Sequence, residues 1–279
     1  MHKSFVFFGT PYIARDTLAA LVAAGYTPSL VVTSPDAPRG RGMVLTPCET
    51  KAWALEHGLP VYTPEKLTEE AQAEILQSGA EYAVVVAYGK ILPKSLIEAF
   101  PLGVLNIHYS LLPKYRGASP VEAALSNGDA ETGVSIQKMV YELDAGDVLA
   151  KEVVAIQPED TIRDLRPRLV ERGAHLLVSL LPSFEAGTYT AEPQDHMKAT
   201  KTGKIKKEEG ELLIPGDDQV NWRTYRALCE SPGTYFFVET NGTRIRVKVT
   251  AAKFENGRFV IERVIPEGKR EMLYEDFVR

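Results

Sequence analysis

Val104-Leu105-Asn106-Ile107-His108-Tyr109-Ser110-Leu111-Leu112-Pro113-Lys114-Tyr115-Arg116-Gly117 opens as an apolar run and ends in a polar turn. On a strand, residues two apart face the same side, so Asn106 and His108 point together into one cleft. The carboxamide is a hydrogen-bond donor suited to a developing oxyanion, and the imidazole is a proton acceptor near neutral pH. A catalytic imidazole also needs a group that orients it and supports its charge. Leu143-Asp144-Ala145-Gly146-Asp147 offers a carboxylate in a tight loop, which makes Asp144 the candidate partner. Alone, His108 reads as a satisfied core histidine and Asp144 as a turn residue. The combination suits attack on a carbonyl.

Outward from that run, short apolar segments alternate with helical patterns, as in an open, mostly parallel sheet covered on both faces. Phe5 to Phe8, Leu30 to Thr33, Ala83 to Val86 and Val104 to His108 are the expected strands. Tyr12 to Ala24 has helical spacing and stops at Gly25. Thr46-Pro47-Cys48-Glu49 predicts a capping-box start with proline at the first helical position, for a helix ending at Gly58. Val134 to Met139 and Val148 to Ile156 are expected to flank the Asp144 loop as strands, and Thr161 to cap a helix through Glu185.

Gly187 to Glu209 has no period and predicts a linker. Beyond it, Asn221 to Leu228 forms a short helix pattern. Asn241-Gly242 and Asn256-Gly257 are two-residue hairpin signals among β-rich segments. The expected fold is thus a Rossmann-like α/β domain at 1–189, a basic linker at 190–207 and a small, mainly β, truncated OB-like domain at 208–279. Strand signals after Ala251 are too few to close a five-stranded barrel.

With 279 residues, 44% hydrophobic and 25% charged, the chain has the apolar material for a real core. Cys48 and Cys229 have no C-x-x-C spacing, so a zinc site or disulfide framework is not suggested and a reducing cytoplasm fits. The first apolar run is too short for a signal-peptide core or a membrane span, so no membrane association is expected. Formal charge is −5, unevenly spread: residues 198–279 hold 16 Lys and Arg against 13 Asp and Glu, while the remainder carries a net −8. A basic tail portion hints at a polyanion. Within it, Arg244-Ile245-Arg246-Val247-Lys248-Val249 alternates so that one strand face is buried and the other carries three positive charges.

The pattern N-x-H-x-S-L-L-P-x-x-R-G followed by D-x-G-D resembles the signature of folate-dependent formyltransferases. Phe8-Gly9-Thr10-Pro11, Pro35-Asp36 with Gly40-Arg41-Gly42, and Val86-Ala87-Tyr88-Gly89-Lys90-Ile91-Leu92-Pro93 resemble the methionyl-tRNA branch of that family in order and spacing. The likeness is close over roughly the first two thirds of the chain. It implies transfer of formyl from 10-formyltetrahydrofolate to the amine of methionyl initiator tRNA, without a metal, by a cytoplasmic monomer. It also implies that Asn106, His108 and Asp144 do the chemistry. Tyr88, Gly89, Ile91 and Leu92 would wall the pteridine, and Ser110, Leu111, Leu112 and Pro113 would run along the folate. Arg39, Arg41, Lys204, Lys206, Lys207, Arg244, Arg246 and Lys248 are the expected tRNA contacts. Arg116-Gly117 is expected to organise the motif loop.

Gly9-Thr10-Pro11 lacks the glycines of a dinucleotide loop, which disfavours a nicotinamide cofactor and the glycinamide ribonucleotide branch. A sugar-nucleotide N-formyltransferase is the alternative, since it would share the same three residues; the Gly9 to Pro11 start and the Arg39 to Gly42 loop favour tRNA. A noncatalytic nucleic-acid-binding module is the third reading, and the intact trio speaks against it.

Overall fold

The computed structural model describes residues 2–40, 42–240 and 242–279, with the side chains of Arg39 and Thr240 also outside the description. In chain order the elements are β1 (Phe5–Gly9), α1 (Tyr12–Ala23), β2 (Leu30–Val32), β3 (Ala37–Arg39), β4 (Val44–Thr46), α2 (Glu49–Glu56), β5 (Val61–Tyr62) and α3 (Glu69–Leu76). There follow β6 (Tyr82–Val86), α4 (Lys94–Ala99), β7 (Gly103–His108), β8 (Arg116–Gly117), α5 (Pro120–Asn127), β9 (Glu131–Lys138), β10 (Val148–Ala155) and α6 (Ile162–Ala186). The last third holds β11 (Lys201–Thr202), α7 (Asp218–Leu228), β12 (Thr234–Thr240), β13 (Thr243–Glu255), β14 (Arg258–Pro266), β15 (Met272–Leu273) and α8 (Tyr274–Phe277). Two compact units result. One is Met1–Arg116, Gly133–Val153 and Pro167–Thr200; the other is Gly117–Thr132, Val154–Arg166 and Lys201–Arg279.

In the first unit the strand order is β10-β9-β7-β6-β1-β2-β5. The strands β5, β2, β1, β6 and β7 run parallel, and β9 joins β7 antiparallel. Laterally paired residues share a face of the sheet, so Tyr62, Val32, Phe8, Val85, Asn106 and Gln137 form one row across six strands. Phe8, Val32 and Val85 in this row are core residues, packed with Ile75 of α3 and with Leu96 and Ile97 of α4. On the opposite face Phe5 stacks on Tyr82, and Tyr82 meets Phe184 of α6 edge-on at 5.4 Å. Burial, helped by Glu185, pushes the Tyr82 phenol pKa far up. Gly9 explains the break after β1: a Cβ there would lie 2.5 Å from that of Ala14, so glycine lets α1 pack closely. Thr10 then donates to the Tyr88 carbonyl at 3.1 Å, tying the β1 turn to the loop after β6.

Several expectations change at this point. α2 starts after Cys48, whose sulfur accepts from the Lys51 amide at 3.4 Å, while the Thr46 hydroxyl donates to the Val44 carbonyl; the Thr46 capping box with Pro47 at the first helical position is not formed. The helices α3, α4 and α5 and the strand β5 had no sequence signal strong enough to be expected. Residues 187–209 are not a bare linker: Glu192 bridges to Val148, and His196–Lys198 and Lys207–Gly210 are short 3-10 turns.

In the second unit β12, β13, β14 and β15 form an antiparallel sheet in sequential order. Its order is open, so no barrel closes among the described residues. Asn256 and Gly257 both have positive φ, 51° and 76°, between the paired Glu255 and Arg258, the geometry a two-residue hairpin demands. The other expected hairpin residue, Asn241, lies outside the described residues. Trp222 and Tyr225 of α7 pack on Phe254 and Phe259 of the sheet. Arg226, 6% exposed, donates to the carbonyls of Asp160 at 2.6 Å and Gln157 at 2.8 Å, stitching separate segments of the unit together. Replacing Arg226 with Met leaves a buried carbonyl without its donor, and the expected loss is about 2–4 kcal/mol of unfolding free energy, measurable by urea titration.

Candidate active site

Asn106 and His108 close β7 on the face of the sheet that carries the core row, and both are buried. His108 Nε2 lies 2.8 Å from the Tyr115 carbonyl. A carbonyl only accepts, so Nε2 carries the hydrogen and donates it. The other ring nitrogen, Nδ1, faces Asp144 Oδ2 at 3.6 Å. Among the described residues Asn106 makes no side-chain hydrogen bond, which leaves its carboxamide available to a ligand.

The motif after β7 is folded back on itself. Ser110 donates to the Lys114 carbonyl at 2.6 Å. Ser135 on β9 donates to the Ser110 carbonyl at 2.7 Å and accepts from the Leu112 amide at 3.1 Å. The Tyr115 amide donates to the Thr200 hydroxyl and the Arg116 amide to the Thr200 carbonyl, each at 2.8 Å. These bonds fix the Tyr115 carbonyl against His108, with Tyr115 itself at a left-handed φ of 59°.

Asp144 is held by two glutamine side chains at a left-handed bend. Its φ is 49°, in the left-handed region that an aspartate enters more easily than most residues. Gln137 Nε2 donates to Asp144 Oδ1 at 2.9 Å. Gln194 Nε2 donates to the carbonyls of Asp144 at 2.9 Å and Gly146 at 2.6 Å. Gln194 Oε1 in turn accepts from Arg116 Nη2 at 2.7 Å and Nε at 3.1 Å, so Arg116 braces the side chain that holds the Asp144 loop. The spacing of Asp144, Gly146 and Asp147 has its own cause: a Cβ on Gly146 would lie 1.9 Å from the Lys138 carbonyl oxygen. Sequence reasoning missed Gln137 and Gln194. Gln137 was findable from the alternation of Ser135 and Gln137 with Val134 and Ile136; Gln194 had no local signal.

The expected pteridine wall divides in two. Tyr88 and Leu92 are buried in the core, Tyr88 edge-on to Phe8 at 5.4 Å. Burial raises the Tyr88 phenol pKa to about 12. Gly89 and Ile91 are exposed, Ile91 at 82%. Lys90 donates to the carbonyls of Pro64 and Glu65, anchoring the loop, and burial lowers its pKa. Ser110 and Leu112 are buried, whereas Leu111 and Pro113 are half-buried.

Among the expected tRNA contacts, Arg41 and the side chain of Arg39 lie outside the described residues. Lys204, Lys206 and Lys207 are exposed. Arg244, Arg246 and Lys248 share the exposed face of β13, where Arg246 stacks over Tyr235 at 3.6 Å and Arg244 over Phe237 at 3.8 Å.

An α/β sheet whose strand ends bring an amide, an imidazole and a carboxylate together defines a site for acyl-type chemistry. The family model described as formyl transferase matches residues 2–181. The chain is 41% identical over 260 residues to a methionyl-tRNA formyltransferase of Koribacter versatilis (strain Ellin345), covering 92% of this chain and 83% of that one. Among solved structures it resembles an N-formyltransferase from Helicobacter canadensis in complex with folinic acid and dTDP-3-aminofucose, with a TM-score of 0.65, 19% identity, and 91% and 89% of the two chains covered. It also resembles the methionyl-tRNA formyltransferase from Clostridium thermocellum, with a TM-score of 0.64, 16% identity, and 95% and 99% covered. The chain belongs to the formyl transferase family.

Gly146→Ala tests the local account of the Asp144 loop. The new methyl group must push the loop off Lys138, so we expect a loss of about 1–3 kcal/mol in stability by thermal denaturation, and a crystal structure in which Asp144 has moved away from His108.

Proposed function

We propose that this chain transfers the formyl group of 10-formyltetrahydrofolate to the amino group of methionyl initiator tRNA. The observation that carries the reading is the unpartnered Asn106 carboxamide beside a His108 whose Nδ1 faces Asp144. That donor set fits the folate: a buried amide without a hydrogen-bond partner among the described residues suits a carbonyl oxygen that gains charge. When bound, the folate supplies an activated formyl carbon. Asn106 Nδ2 would donate to the formyl oxygen as the amine nitrogen bonds to the formyl carbon; His108 Nδ1 would take the amine proton and return it to the folate nitrogen as its bond to that carbon breaks, and Asp144 Oδ2 would support the ring's charge between the two transfers. Gly89, Ile91, Leu111 and Pro113 offer exposed or half-buried surface to the folate, while Tyr88, Leu92, Ser110 and Leu112 shape it from behind. No metal takes part in this scheme.

The tRNA reading rests on relatives at about 40% identity that carry the methionyl-tRNA formyltransferase name, against 19% for the amino-sugar enzyme. The first compact unit, which includes Gln194 and Thr200, would serve the chemistry, and residues 208–279 the tRNA. Arg39, Arg41, Lys204, Lys206, Lys207, Arg244, Arg246 and Lys248 would meet phosphates. We place the protein in the cytoplasm as a monomer acting in translation initiation. Two buried free cysteines suit that compartment, and no helix among the described residues is long and apolar enough to cross a membrane.

Labelled 10-formyltetrahydrofolate offered with charged initiator tRNA, charged elongator tRNA and amino-sugar nucleotides identifies the acceptor. Label on the initiator is expected; label on the sugar alone overturns the assignment. Asn106→Ala, His108→Ala and Asp144→Asn should each lower turnover by about a hundredfold or more while the protein stays folded.

A separate measurement addresses the charged strand. Arg244→Glu with Arg246→Glu should raise the Michaelis constant for tRNA at low salt, an effect that shrinks as salt rises, with folate affinity unchanged.

A further inference from the structure

The two oxygens of Asp144 have different neighbours. Oδ2 faces His108 Nδ1, and Oδ1 accepts from Gln137 Nε2. The Gln137 carboxamide cannot turn over freely, because its Oε1 accepts from the Gly146 amide at 3.2 Å. The end that meets Asp144 is therefore the NH2 donor. Gln137 is 1% exposed and stands directly opposite Asn106 in the β7–β9 ladder, on the same face as His108. One side chain thus grips the Asp144 loop at the carboxylate and again at a backbone amide two residues on.

We propose that Gln137 is a positioning residue for the reaction, its carboxamide turning the Asp144 carboxylate so that Oδ2 faces His108. The inference rests on the roles proposed above for His108 and Asp144. Gln194 also holds this loop, but through backbone carbonyls, so it fixes where the loop runs and not how the carboxylate is turned. The titratable group facing Gln137 is Asp144, with His108 beyond it. Arg116 and His196 lie on the far side of Gln194, and the neighbouring Lys138 reaches to the Tyr189 hydroxyl.

Gln137→Glu separates positioning from packing. Glutamate keeps the size and can still accept from Gly146, but it sets a carboxylate oxygen where the donor stood. Two carboxylates at hydrogen-bond distance cannot both stay ionised, and one of them binds a proton at unusually high pH. Once that proton is bound, the pair again contains a donor. The sign follows: the ratio of variant to parent turnover should be low in the alkaline range and rise as pH falls.

The experiment measures formyl transfer by the full-length parent, Gln137→Glu and Gln137→Ala between about pH 6 and pH 8, together with ring-nitrogen NMR signals of His108 recorded without substrates. At about pH 8, Gln137→Glu should fall about tenfold or more in turnover at an unchanged Michaelis constant for folate, recovering severalfold relative to the parent at about pH 6. In Gln137→Ala the His108 signals should move in the direction that Asp144→Asn moves them. A Gln137→Glu ratio that is flat with pH, or His108 signals untouched by Gln137→Ala, overturns the proposal. The NMR arm needs no turnover, so an inactive parent would count against the assigned reaction and leave the test of Gln137 standing.

Discussion

Lateral registration of the sheet is the constraint on which the rest depends. Phe8, Val32 and Val85 must face α3 and α4 to bury their side chains, and the pairing of Val85 with Asn106 carries that choice into β7. A one-residue slip would turn every side chain of the strand to the other face. Hydrophobic burial of β1, β2 and β6 therefore decides where Asn106 and His108 point. The polar end of the row inherits its orientation from the apolar end.

The loops add what the sheet cannot. His108 is fixed by a backbone carbonyl, and Asp144 by the side chains of Gln137 and Gln194, one acting on its carboxylate and the other on its loop. Non-glycine residues at positive φ cost of order 1 kcal/mol or more each. Two of them, Tyr115 and Asp144, flank the imidazole. Their conformations persist because Thr200, Gln194 and Gln137 hold the flanking backbone. Strain concentrates where the side chains have to converge.

Much of this was legible in the sequence, for identifiable reasons. The strands β1, β6 and β7 are buried on both faces and so read as apolar runs, and Asn256-Gly257 declares its hairpin because both residues must take positive φ. His108 and Asp144 could be paired by motif before any distance was known. The start of α2 was misread because a cysteine sulfur is a weak, unusual cap that composition does not announce. β5 spans only two residues and α4 six, too short for a period to emerge. Gln194 contacts a loop fifty residues earlier in the chain, and no local pattern encodes such a bond. Tyr88 lay in the expected loop, yet its ring belongs to the core, because the loop after β6 turns inward before it turns out.

The second unit is assembled from three stretches of chain, with α5 and residues 154–166 completed by α7 and the sheet that follows. During synthesis the two early stretches leave the ribosome while their partners are still unmade. At about 5–20 residues per second, they wait several seconds for α7 to emerge. For that time α5 lacks α7, its neighbour in the finished unit. The order of the sequence thus gives the nascent chain a window of vulnerability to aggregation, and a reason to engage a chaperone, that the finished fold no longer displays.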